Sequence, residues 1–270
     1  MCEILKVSRS GYYSYLNRPE SSRSKKNKRI LDILEESHNK DPMAGLDSLW
    51  HDVKEKIQCC RSTVYKIMKE NGIRSLRRPK WKQTTNSKHD LPIAPNLLKQ
   101  DFNVELPNTV WVGDITYNWT EEGWLYTAIV KDLCTKDVVG YAMGDRITKD
   151  LVIRAMEMAI NLEKPRYGLI FHSDRGSQYC SNAYQDLLSG HKIIPSMSRK
   201  GNPYDNAVAE NFFSNMKCEC TNFYRFKTRQ EAKQTIFEYI EIYYNRQRRH
   251  SKCGWMPPKK YKRLFNKIAA

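Results

Sequence analysis

No stretch of this 270-residue chain is apolar enough to span a bilayer, and no secretory hydrophobic region follows Met1, so neither a membrane protein nor an exported one is expected. Paired C-x-x-C spacing is missing too. The eight cysteines stand at 2, 59, 60, 134, 180, 218, 220 and 253, and the six histidines add no zinc pattern. Cys218 and Cys220 flank Glu219 too closely for the usual structural zinc ligands. Reduced, mostly buried thiols in a cytoplasmic protein are therefore expected. Negative charge is also in short supply, with 30 acidic against 46 basic residues and a net charge of +16. The deficit is uneven: residues 1–100 carry +10, residues 101–200 carry −2, and residues 201–270 carry +8. Basic flanks around a near-neutral centre suit a phosphate-bearing partner, DNA or RNA.

The acids that the centre keeps are placed unusually. Asp114 sits within Trp-Val-Gly-Asp-Ile-Thr-Tyr, where Val110, Val112, Asp114 and Thr116 share one face of a strand expected over 109–116. Strands disfavour aspartate, and a buried unpaired carboxylate costs several kcal/mol, on the order of a lost charge–solvent contact. Asp174 repeats the anomaly. Leu169, Ile170 and Phe171 read as a buried strand, after which His172 and Asp174 fall on one face and Gly176 ends the run. Glu210 is expected on a helix that Asn202 caps, with Pro203 at its first position and Asp205 favoured in the first turn by the helix dipole. On it Asn206, Glu210, Phe213 and Lys217 form one stripe.

Any one of these acids alone is equally a surface or capping residue. Together they suggest Mg²⁺, a hard ion that prefers oxygen and takes one or two carboxylates from protein; Mn²⁺ is an alternative. Two such ions about 4 Å apart can serve the attacking and leaving oxygens of a phosphodiester, and three carboxylates suffice if one bridges. Phosphoryl transfer depends mainly on positioning and charge neutralisation, so Lys217 is a candidate phosphate-holding group. His172 is either a group supporting Asp174, a substrate contact or a hydrogen-bonded strand-end histidine. Asn206 either orients a water or caps its own helix.

Fifty-nine residues lie between Asp114 and Asp174, and 35 between Asp174 and Glu210. With His-Ser-Asp-Arg-Gly-Ser-Gln-Tyr at 172–179, Gly-Asn-Pro-Tyr-Asp-Asn-Ala at 201–207, Lys217, and Tyr244, Asn245, Arg248, His250, Gly254 and Pro258, the chain resembles the integrase catalytic core of bacterial insertion-sequence transposases of the second-frame (OrfB) type. The resemblance implies an α/β fold with a ribonuclease-H-like mixed sheet. It also implies Asp114, Asp174 and Glu210 as catalytic metal ligands, with cleavage and strand transfer of DNA at element ends and target. Pairing two ends implies at least a dimer, and the family's frameshifted frames imply an upstream-frame product as partner. A ribonuclease-H-type nuclease and an inactive DNA-binding regulator remain the alternatives.

Three regions are expected: 1–73 helical and helix-turn-helix-like, 74–100 a basic linker, and 101–265 the core with a basic C-terminal helix. Met1 to Leu16, with Val-Ser-Arg-Ser-Gly-Tyr-Tyr, resembles the family's helical opening, and Ser21 to Arg29 is a linker or a helix start. Ile30, Leu31, Ile33 and Leu34 form one apolar stripe, and Leu46, Leu49, Trp50, Val53 and Ile57 form another. Ser62 is the expected cap of a third helix with Val64, Ile67 and Met68, closed by Gly72. On that helix Arg61, Lys66 and Lys69 would meet DNA. Ala44-Gly45-Leu46-Asp47-Ser48 stands where relatives commonly show Tyr-Gly and arginines, which removes positive charge. Arg77, Arg78, Lys80 and Lys82 either track a DNA backbone or belong to a solvated linker. In the core, strands are expected at 124–133 and 137–143. A helix over 149–163 should bury Leu151, Ala155, Met158, Ala159 and Leu162, and another should run over 183–190. A last helix opens with Thr228-x-x-Glu231 and packs Ile236, Phe237, Ile240, Tyr243 and Tyr244. Arg246, Arg248, Arg249 and Lys252 beyond it are candidate phosphate contacts.

Overall fold

The structure is a computed structural model that describes residues 8–76, 92–199 and 202–268. The expected basic arm at Arg77, Arg78, Lys80 and Lys82, the opening Glu3-Ile4-Leu5 and Gly201 lie outside those residues. The chain divides into two compact units, Met1–Leu76 and Arg77–Ala270.

The first unit is helical: α1 Arg9–Leu16, α2 Ser22–Lys40, α3 Leu46–Lys56 and α4 Arg61–Glu70. Helix α1 buries none of its residues. The polar run from Ser21 is a helix start, because the Ser21 hydroxyl accepts from the Ser24 amide at 3.1 Å and caps α2. Ile30 and Leu34 of α2, Leu49 and Val53 of α3, and Val64, Ile67 and Met68 of α4 close on one another in a small core. Ser62 is not the cap of α4. Cys60 holds that position, and Ser62 lies inside the helix with its hydroxyl 3.1 Å from the Cys60 sulfur. Gly72, just past the end of α4, has φ +69°, the left-handed region that a side chain would strain.

The second unit is built on one five-stranded sheet in the order β3-β2-β1-β4-β5. Its strands are β1 Val110–Thr120, β2 Gly123–Asp132, β3 Val138–Gly144, β4 Ile170–Ser173 and β5 Ile194–Met197. The first three form an antiparallel meander, and β4 and β5 run parallel to β1. Helix α5 Lys149–Glu163, the short α6 Ser177–Cys180 and α7 Asn182–Gly190 cover one face. There Trp111, Ala128, Val130, Leu151, Ala155, Phe171, Tyr184 and Leu188 share a core. The other face carries α8 Ala207–Glu219, α9 Arg229–Glu238 and a wide π-helical segment Tyr239–Tyr244, and α10 Pro258–Ile268 closes the chain. Leu125, Ile129, Phe212, Phe213, Met216, Ile236, Ile240 and Tyr244 pack there.

Two expected core positions turn outward. Leu162 is 64% exposed and Phe237 41%, while Val152, Met156 and Ile160 take the buried stripe of α5. The Thr228 hydroxyl caps α9 by accepting from the Glu231 amide at 3.1 Å, but the Glu231 carboxylate accepts from the Lys227 amide at 2.8 Å, one residue earlier than a reciprocal box would have it.

Candidate active site

The open edge of β1 organises the site. Strand β4 pairs with Val110, Trp111 and Val112 only, and the next contact on that side is the isolated bridge from Thr120 to Phe226. Asp114 is the second residue of the stretch between them, after Gly113. Its neighbour must be glycine: a Cβ on Gly113 would lie 2.5 Å from the Phe171 ring on the opposite face. One oxygen of Asp114 accepts from the Ile115 amide at 2.8 Å.

Asp174 follows the last residue of β4, and its Oδ1 accepts from the Gly176 amide at 2.9 Å, an Asx turn that points the carboxylate away from the strand end. Glu210 lies in the first turn of α8 and is exposed. The three acids act on one another as charges. Burial pushes the Asp114 carboxyl well above its ordinary range, and Asp174 and Glu210 push it further. Burial and Asp174 likewise raise Glu210. A shared field of negative charge that raises two of the three carboxyls is the electrostatic signature of a cation site. Among the described residues no three His, Cys, Asp or Glu side chains surround a single point closely enough to hold one ion together. The donor set is all oxygen and the three acids stand as neighbours, which suits hard ions taking one or two carboxylates each.

Lys217, two turns beyond Glu210, places its ammonium 5.1 Å from the centre of the Tyr117 ring. Burial lowers its pKa, and Tyr117 and the Asp114 charge oppose that. Asn206 does not cap α8 through its side chain. Its Nδ2 donates to the Gly113 carbonyl at 3.4 Å beside Asp114, and among the described residues its buried Oδ1 has no hydrogen-bond partner. Such an atom marks a place for a water or a ligand.

His172 faces inward, as the hydrogen-bonded histidine of the three readings. It lies inside β4, fully buried, with Nδ1 2.8 Å from the Ser196 hydroxyl and Nε2 3.2 Å from that of Ser198. Burial pulls its pKa down to about 4, so the ring is neutral at neutral pH. It ties the end of β4, where Asp174 emerges, to β5. Nor is Asp205 merely a dipole partner in a first turn. Residues 203–206 form a 3₁₀ turn ahead of α8, and Asp205 accepts from Asn96 at 2.9 Å, Gln100 at 2.7 Å, and the amide and guanidinium of Arg199 at 2.8 and 3.0 Å. Arg199 above all holds its carboxyl far below the usual range. That junction fixes where α8 and Glu210 begin. Ser196 and Ser198 went unrecognised in the sequence, and Asp205 was read only as a first-turn acid; the one local signal for the serines was their i, i+2 spacing, which aims both at one face.

Among the basic candidates, Arg248 is withdrawn as a phosphate contact. Its guanidinium is 14% exposed and forks onto the buried Glu219 carboxylate at 2.7 and 2.8 Å, and the Tyr239 hydroxyl donates to the same carboxylate at 2.9 Å. The pair pins the last turn of α8. Arg249 Nη1 donates to the Trp255 carbonyl at 2.9 Å, and Arg246 is exposed. In the helical unit Lys66 and Lys69 are exposed on α4, while Arg61 is paired with Asp47.

Comparison with known proteins places the chain in a family. The Integrase core domain family matches residues 105–203 and again 191–258, and an HTH-like domain family matches residues 25–81. The chain is 44% identical to an insertion element IS600 uncharacterized 31 kDa protein of Shigella sonnei, with all of both chains covered. It is 38% identical to the transposase InsF for insertion sequence IS3A of Escherichia coli K12, over 97% of this chain and 92% of that one. In three dimensions it resembles a chain of a simian T-cell lymphotropic virus intasome, with TM-score 0.50, 15% identity, and 86% of this chain and 73% of that one covered. That likeness speaks to the fold.

Proposed function

The chain belongs to the insertion-sequence transposases that carry an integrase core domain, and from that premise we propose that Asp114, Asp174 and Glu210 together hold two divalent ions, Mg²⁺ or Mn²⁺, for chemistry on DNA. The observation that carries this reading is the Asp114 carboxyl in the field of both other acids at an open strand edge. Bound there, the ions would supply Lewis-acid activation of the attacking oxygen and neutralise charge on the leaving one.

What the chain itself contributes is placement. Asp114 is set by β1, Asp174 by β4 with His172 locking it to β5, and Glu210 by a helix fastened at its start through Asp205 and at its end through Glu219 and Arg248. Lys217 stands ready to take a substrate phosphate, and the free Oδ1 of Asn206 to orient a water or the substrate beside Asp114. DNA at the element ends is cut, and the freed 3′-hydroxyl then attacks a phosphodiester of the target at the same centre. Residues 1–73, with Lys66 and Lys69 exposed, read DNA; residues 74–100 link them to the core; and Arg246 and Arg249 lie along the substrate. Two ends in one reaction call for at least a dimer, to which an upstream-frame product adds a further proposed partner. Among the described residues no helix is long and apolar enough to cross a membrane. As a DNA-handling protein with bacterial relatives, the chain would act in the cytoplasm at the nucleoid.

Incubating the protein with labelled terminal DNA and Mg²⁺ tests the reading. Joined products are expected. Cleavage without joining would favour a nuclease, and binding without either would favour a regulator.

A further inference from the structure

Four aromatic rings line up across the hairpin of β1 and β2, on the face of the sheet that α5 covers and opposite the face of Asp114. In the register Tyr117 faces Tyr126 and Trp119 faces Trp124, and such cross-strand partners share a face. Their ring centres follow one another at 6.4 Å from Tyr126 to Tyr117, 4.9 Å from Tyr117 to Trp124 and 4.8 Å from Trp124 to Trp119, the last two edge to face. These contacts fix the rings' orientation. At the inner end Tyr126 packs on the core; at the outer end Trp119 is 59% exposed and Trp124 41%. Two indoles left in water add little to folding, so their exposure calls for another use.

The odd offsets from Asp114 place the rings on the opposite face, and the ladder meets the active site across the unpaired edge of β1, where a strand leaving the acids can pass from one face to the other. Lys217 lies over Tyr117, and Tyr117 and Trp119 are three and five residues along β1 from Asp114, about 10 and 17 Å at strand spacing. Cations flank it. The Thr120–Phe226 bridge brings the exposed Arg225 and Lys227 beside the hairpin, and Arg229 Nε donates to the Trp124 carbonyl at 3.0 Å. Tyr224, 52% exposed, stacks on Phe226 with centres 5.4 Å apart and planes 11° from parallel. The acids of the turn, Glu121 and Glu122, lie at the tip beyond the rings, and Glu122 accepts from the Arg229 amide at 2.8 Å.

We propose that this ladder is a base-stacking subsite, where an unpaired nucleobase of the DNA strand that reacts at Asp114, Asp174 and Glu210 stacks on Trp119 and Trp124. Lys217, Arg225 and Lys227 neutralise the phosphates on either side of that base. The inference rests on the metal-site reading above. Its physical basis is that indole faces take any base by stacking while basic groups follow the backbone, whereas a duplex offers no open base face in its interior.

The test is equilibrium binding of the full chain, in an Asp174→Asn background so that nothing is cut, to two probes. One is a blunt duplex; the other carries a short single-stranded tail containing a fluorescent adenine analogue. Trp119→Ala and Trp124→Ala are each expected to weaken binding of the tailed duplex by roughly 5- to 150-fold and to abolish quenching of the analogue. They should leave blunt-duplex affinity unchanged, and Trp119→Phe should recover most of the loss. Equal affinity of both alanine variants and the parent for the tailed duplex overturns the proposal. So does a shift of Trp119→Ala to a smaller oligomer in sedimentation with binding unchanged, which would make the surface a contact between copies of the chain. A failure of the metal-site reading would appear instead as unaltered cleavage by Asp174→Asn, independently of these affinities.

Discussion

Replacing Asp114 with asparagine should stabilise the metal-free protein while destroying its activity. Burial, then Asp174 and Glu210, raise the Asp114 carboxyl above its ordinary value of 3.8, against weaker opposition from the Ile115 amide and Lys217. A carboxyl whose folded pKa exceeds its unfolded one contributes stability below the unfolded value, and that contribution is lost as pH rises through the folded value. The loss therefore starts near pH 4 and is greatest towards neutrality, where an ionised Asp114 opposes folding unless a cation is bound. The isosteric amide removes that opposition. Relief of functional strain of this kind is worth about 0.5–2 kcal/mol, or roughly 1–8 °C in the melting midpoint of a domain of about 200 residues. Calorimetry in a chelating buffer should show Asp114→Asn melting above the parent at neutral pH, with the difference vanishing near pH 4. Added Mg²⁺ should raise the parent and leave the variant unmoved. A parent that melts as high as the variant without metal at neutral pH would refute the reasoning.

Three further outcomes follow from the packing. Gly113→Ala drives a methyl to within 2.5 Å of the Phe171 ring; such overpacking costs about 1–3 kcal/mol in urea unfolding, and adding Phe171→Leu should recover part of it. Glu219→Ala strands the buried Arg248 cation and should cost about 3–5 kcal/mol, with the double variant losing less than the sum of the singles; a loss below about 1 kcal/mol would contradict a clamp on α8. His172 has a folded pKa of about 4 against an ordinary 6.5, so the stability it contributes is present above pH 6.5 and falls away on acidification towards 4. In His172→Gln that acid slope should flatten, as read from melting midpoints, and a slope equal to the parent's would remove His172 as its source.

The sheet and the acids were legible in the sequence because their signals are local. Period-2 alternation marked β1, helical spacing marked α5, and the stripe through Glu210 and Lys217 marked α8. What stayed hidden depends on partners far along the chain. His172 stays open between a support for Asp174, a substrate contact and a hydrogen-bonded strand-end histidine until Ser196 and Ser198 arrive 24 and 26 residues later, and Asp205 reads as a helix-start anion until Asn96 arrives from 109 residues away. Arg248 belongs to a basic run whose charge suggests phosphate, yet Glu219 claims it. Leu162 and Phe237 satisfy an apolar spacing rule, yet both are exposed, because spacing alone does not say how far along a helix the covering layer reaches. The left-handed turn after α4 was readable from Gly72, whereas the cap before it was not, since Cys60 is an uncommon cap and Ser62 a common one.

The most direct test of the central claim is Mn²⁺ binding to the DNA-bound chain, followed by paramagnetic resonance or calorimetry. The parent should bind two ions, and Asp114→Asn, Asp174→Asn and Glu210→Gln should each weaken or remove at least one while DNA affinity stays in place. Parental Mn²⁺ affinity and stoichiometry in all three variants would contradict the account.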